Sequence, residues 1–274
     1  TALITKVGNY EERITNYIEN GYTVFDMDSL NTISSLEDIR ENSTTITQWM
    51  EGLFYNSDSI EVIEIPNDLT EVPSKSFEEC NKLKQVIIYD NITSIGEKAF
   101  SGCSNLKDIE IPANVVSIGN YAFSGVGAEF DGLPETITSI GEGAFAGCKN
   151  LTDIELPSTI TEIKPYTFAW CGLEYIEIHN FIQKIGERAF TNCRNLSRVD
   201  MGENVEEIGN YAFAWCVELS SFTVPEKTKK LGYEILQANR DLDTLYYNAI
   251  NCEVSGAYYD ERVERTIGAF EGNS

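Results

Sequence analysis

The sequence predicts an α/β repeat wound as a solenoid. Each right-handed coil would supply one short parallel strand, a shorter second strand and one helical or 3₁₀ turn. Three observations predict it. A phenylalanine recurs every 22 or 23 residues, aliphatic columns keep the same interval, and Pro and Gly fall at fixed offsets between them.

The phenylalanine column is Phe54, Phe77, Phe100, Phe123, Phe145, Phe168, Phe190 and Phe213, and Leu236 and Tyr259 extend it. Ahead of each Phe runs a stretch such as LKDIEI from Leu106 or LTDIEL from Leu151. Apolar and polar residues alternate there, and β-branched residues fill the apolar slots, which is the pattern of a strand with one buried face. Pro112 or Pro157 then ends the strand, because proline cannot donate to a ladder. A second extended piece, such as Thr93 to Ile95, turns at a glycine, and GEKAF reads as the helical or 3₁₀ turn with Phe as its inward anchor. One coil cannot bury its own apolar edge. Stacked coils can, and they place parallel strands about 4.8 Å apart.

The combined pattern, LxxIxIPxxVxxIGxxAFxxCxN, resembles the BspA-like leucine-rich repeats over roughly Trp49 to Tyr259. The resemblance implies a leucine-rich-repeat solenoid on an extracellular or cell-surface protein, in a family that includes adhesins of bacteria and some protozoa. It carries no ligand residues over, because such families share a frame and not a site.

The periodicity divides the chain into an N-terminal cap at 1–48, a solenoid at 49–259 and a cap or worn repeat at 260–274. Within the first segment, Tyr10 to Asn20 suits a short amphipathic helix, and Tyr22 to Met27 a strand; a separate ligand module is the alternative. Residue 1 is Thr, and no charged-then-apolar leader precedes the repeats. That fits a trimmed mature protein or a piece expressed without its leader.

Forty-four acidic against 20 basic residues give a net charge of −24. Nucleic acid and anionic lipid would be repelled, and no run of 18 apolar residues offers a membrane span. Six of the seven cysteines (Cys80, Cys103, Cys148, Cys171, Cys193 and Cys216) follow the Phe column in register. Neighbouring coils lie within disulfide reach. One side chain per coil, with Ser57 and Val126 in the same slot, nevertheless reads as a buried column of reduced thiols. No CxxC, HExxH, GxSxG or phosphate-cradling glycine loop is present, and the lone histidine, His179, reads as a packing residue. No cofactor, metal ligand set or catalytic group is expected. Trp170 and Trp215, two coils apart, are expected to cover the turn beside the thiols, with a surface aromatic patch as the alternative.

The third and fifth strand positions would face outward across a concave sheet. They nominate Asp108, Glu110, Phe130, Asp153, Glu155, Tyr175, Glu177, Arg198 and Asp200 as a ligand face. Like charges one rung apart repel, so a basic protein partner or a cation such as Ca²⁺ would be their counter-charge; a solvated face that blocks sheet aggregation is the plainer reading. Asp131 falls in a core column, and the 22-residue interval from Phe123 to Phe145 suggests a one-residue slip that swings Phe130 inward instead. The function expected is binding without catalysis: an extracellular adhesin-like monomer with a basic or host-derived protein ligand. The alternatives are a spacer in an envelope or virion assembly, or an accessory repeat of an enzyme.

Overall fold

The computed structural model describes residues 51–254, apart from 59, 66, 67, 131 and 251, and the backbone of two further strands, Ala2–Leu3 and Val24–Phe25. Those two pair in parallel, the second inside the stretch expected to be extended. The expected helix at 10–20, the segment 260–274 and Asp131 lie outside the described residues.

The described chain is a parallel β-solenoid of about 8 turns. Its front ladder is built from the LxxIxI segments. Val62–Glu64, Gln85–Ile87 and Asp108–Ile109 pair in that order, then Tyr175–Glu177 with Arg198–Asp200, and Ser221–Val224 with Thr244–Tyr247. A second ladder of two-residue strands runs beside it, from Glu71–Val72 to Ser139–Ile140 and again from Glu162–Ile163 to Glu253–Val254. The register advances by one repeat at every rung, so Ile95 pairs with Ile118 and Ile185 with Ile208. Each apolar slot therefore meets its own equivalent, and the columns become continuous ridges in the core.

The Phe ridge shows this most directly. From Phe54 to Phe213, successive rings stack nearly parallel, with centroids 5.0–5.7 Å apart. Beside it the six in-register thiols are buried and free, each donating to the carbonyl of the Phe one coil earlier, as Cys103 does to Phe77 at 3.0 Å.

The third side of each coil corrects the sequence reading: among the described residues no helix or 3₁₀ segment forms. Two residues four apart take positive φ in each coil, for example Lys98 (53°) and Gly102 (79°), or Arg188 (53°) and Asn192 (61°). A right-handed helix cannot continue through them. The N–H donors then alternate. Ser76 and Glu78 donate within their own coil, to Pro73 and Lys75, while Phe77 and Glu79 donate to Ala99 and Ser101 of the next. A stack of linked turns replaces the helix and satisfies the same backbone groups. Gly209 shows how close the coils come: a Cβ there would sit 2.5 Å from the Glu187 nitrogen.

Candidate functional site

The front ladder is interrupted. Among the described residues, neither 128–133 nor 151–156 forms a strand, so Asp108–Ile109 and Tyr175–Glu177 each pair on one side only, and a narrower break separates Arg198–Asp200 from Ser221–Val224. The wider interruption lies between two shortened corners. At Gly127 and Gly172 a single glycine stands where other coils have two residues, which produces the two 22-residue intervals. A Cβ at Gly127 would meet the Ser104 carbonyl oxygen at 2.4 Å, and one at Gly172 the Lys149 carbonyl oxygen at 2.1 Å. Only glycine fits where the chain cuts the corner this closely.

In the first shortened coil, Ala128 occupies the leucine column and leaves a gap. Phe130 fills it. With φ at +50° it turns inward, is 8% exposed, and sits edge-on to both Phe123 and Phe145, 5.1 and 5.3 Å away. This bears out the inward swing read from the spacing and overturns the assignment of Phe130 to the outward ligand face. A ring in that slot supplies the volume that the smaller side chain gave up.

Over the interruption lies a cavity of about 610 Å³. Its floor is apolar, with Ile109, Phe130, Leu133 and Pro134. Its rim carries five carboxylates (Asp108, Glu110, Glu129, Glu135 and Glu155) against the single ammonium of Lys107. Two of the acids are partly engaged. Gln85 Nε2 donates to Asp108 at 2.6 Å. The Ser158 hydroxyl and N–H both donate to Glu135 and hold its carboxyl below the usual range.

The other nominated residues lie outside this cavity. Asp153 and Glu177 are exposed on the front face. Tyr175, Arg198 and Asp200 form a closed set: Arg198 donates to both carboxylate oxygens of Asp200, at 2.8 and 2.6 Å, and Tyr175 Oη donates to it at 2.9 Å. The guanidinium lies 5.4 Å from the Tyr175 ring centre. The Arg198 hydrogen bonds, and secondarily that of Tyr175, hold the Asp200 carboxyl below its ordinary value. The structure thus divides the predicted face into a self-neutralised end and an acid-rimmed hollow. Outward pointing was readable from strand alternation; the hollow was not, because 151–156 keeps the repeat pattern and still forms no strand.

His179 is accounted for by packing. Its Nδ1 accepts from the Phe181 N–H at 3.2 Å, and its Nε2 lies 3.0 Å from the Pro157 carbonyl oxygen, which makes Nε2 the protonated nitrogen. Among the described residues no group of three or more His, Cys, Asp or Glu is arranged to hold a metal ion. No helix among them is long and apolar enough to cross a membrane.

Stacked parallel coils with an aliphatic and aromatic spine define a repeat scaffold of the leucine-rich-repeat class. The chain belongs to the BspA-type leucine-rich-repeat family, whose model matches residues 10–129 and 130–243 in six copies. A leucine-rich repeat protein of Bacteroides ovatus is 27% identical, with a TM-score of 0.69 over 75% of this chain and 57% of its own. The leucine-rich repeat protein of T. pallidum is also 27% identical, with a TM-score of 0.52 over 58% of this chain and 77% of its own. The pneumococcal vaccine antigen PcpA shares the fold at 19% identity, with a TM-score of 0.52 over 73% of this chain and 59% of its own. No curated protein matches the chain. The chain thus spans little more than half the length of the Bacteroides protein. Leucine-rich-repeat proteins mediate protein–protein interactions, and no catalytic family is indicated.

Proposed function

We propose that this chain is an adhesin-like module of a cell-surface protein, working as a monomer, and that it binds a basic segment of a protein ligand on its front face. The observation that carries this reading is the acid-rimmed cavity with an apolar floor, made where Phe130 leaves the surface. A lysine or arginine side chain suits it, with the aliphatic stem on the floor and the cationic head at the rim. Cleft walls of one charge sign also raise the rate of encounter with an oppositely charged partner. Residues 1–48 and 260–274 are, in this reading, the covers that a solenoid needs at its open ends.

The test begins with capture of host-surface and matrix proteins by the purified chain, with and without calcium, and then measures affinity for the protein recovered. The variant E110K/E155K should lose at least tenfold in affinity, about 1.4 kcal/mol. E177K, outside the cavity, should bind like the parent. Unchanged affinity in E110K/E155K would remove the cavity from the binding mechanism.

A further inference from the structure

A second feature lies on the stacked turns, away from the front ladder. Trp170 and Trp215 are 47% and 41% exposed, large fractions for this residue type. They belong to one column. The Trp170, Asn192 and Trp215 N–H groups donate to Thr191, Ala214 and Gln237 of the next coil, at 2.7–2.8 Å. The two indoles therefore lie two rungs apart along the solenoid axis, about 10 Å. Between them Asn192 is fixed by its side-chain oxygen, which accepts from Arg194 Nε at 3.0 Å and leaves the amide N–H groups to donate outward.

The column of turns beside it continues the band. Tyr166 stacks on Trp170 at 6.3 Å and 13°. Arg188 lies between two tyrosines, 5.7 Å from the centre of Tyr166 and 4.7 Å from that of Tyr211. It donates to the Tyr166 hydroxyl at 2.7 Å and to Glu187 at 2.8 Å, so its charge is neutralised in place. In a chain of net charge −24, this band selects neither anions nor cations.

We propose that this band binds an uncharged, β-linked glycan lying along the solenoid axis, with alternate pyranose rings on Trp170 and Trp215. A pyranose with equatorial substituents presents a flat face of C–H groups that rests on an aromatic ring, while its rim hydroxyls need donors and acceptors such as Asn192 and Glu187. An extended β-1,4-linked chain repeats its faces every second sugar, and two rungs of the solenoid offer a ruler of that order. A folded protein partner has no such repeat to match. The inference stands apart from the front-face reading, and charge reversal at Glu110 and Glu155 should leave it untouched.

The test is titration of the full chain with cellohexaose, chitohexaose and the α-linked maltohexaose, followed by tryptophan fluorescence and calorimetry. At least one β-linked hexasaccharide should bind and change the fluorescence, and maltohexaose should not. W170A and W215A should each weaken binding at least tenfold, with W170F retaining most of it and the circular dichroism of all three unchanged. The proposal is overturned if neither β-linked sugar binds up to millimolar concentration, or if the W170A/W215A protein binds as well as the parent. It is equally overturned if maltohexaose binds as tightly, or if the two indoles prove necessary only for capture of a protein.

Discussion

The in-register cysteines show how a repeat sets the chemistry of a single residue. Each thiol is placed by the stack against a carbonyl of the preceding coil, in a buried site. Burial pushes the thiols of Cys80 and Cys193 up to about 12, and raises Cys103, Cys171 and Cys216 as well. Since the thiolate is the nucleophile, these groups should resist iodoacetamide in the folded protein at pH 8, while the half-exposed Cys252 reacts. Mass spectrometry should find one adduct on the native chain and seven after denaturation. The pH dependence follows from the same shifts. A thiol whose folded value is raised favours folding fully below its unfolded value of 9.0, and that contribution is lost as pH rises through about 12. Alkylation of the native core thiols at pH 8 would show that the coils open far more readily than their packing implies.

At the scale of the element, the sequence announces the coils and hides the gap between them. Strand positions, outward residues and the thiol column follow from alternation and spacing, since a period-2 strand with one buried face leaves no freedom in which side chains point out. The inward turn of Phe130 is also legible, from the shortened interval and the misplaced acid. The turn face is not. IGxxAF suits a helical turn by composition, and only the carbonyls of the adjacent coil decide that alternate N–H groups point out of the coil instead. The break at 151–156 is hidden as well, because that segment keeps the full repeat pattern and still forms no strand. Phe130 is then the element on which the cavity floor depends. Phe130→Ala should destabilise the chain by about 3–5 kcal/mol, the usual cost of emptying a buried aromatic site. Phe130→Leu should cost less and keep the floor. Equilibrium urea denaturation would measure both, and a cost for the alanine variant below about 1 kcal/mol would mean that Phe130 is not an anchor of the core.

Across the whole molecule, charge sets stability and binding against one another. A net charge of −24 on one solenoid repels itself, and most of the ion pairs seen among the described residues, such as Lys84–Glu61 and Lys229–Glu206, are exposed. Exposed pairs of this kind contribute about 0–1 kcal/mol each. Raising salt from about 0.01 M to about 1 M shortens the screening length from about 30 Å to about 3 Å. It weakens these few attractions and also the far more numerous repulsions, so the melting temperature should rise with salt. Binding of a basic segment at the cavity should move the opposite way and weaken at least tenfold over the same range, because it draws on the field that salt removes. Binding of a neutral glycan on the Trp170 and Trp215 band should hardly change, since stacking and hydroxyl hydrogen bonds draw little on long-range charge. Thermal melts and affinity measurements over one salt series therefore separate three origins of free energy in a single chain. A melting temperature that falls with salt would mean that the ion pairs outweigh the net repulsion, and the acidic surface would then have to be counted as part of what holds the coils together.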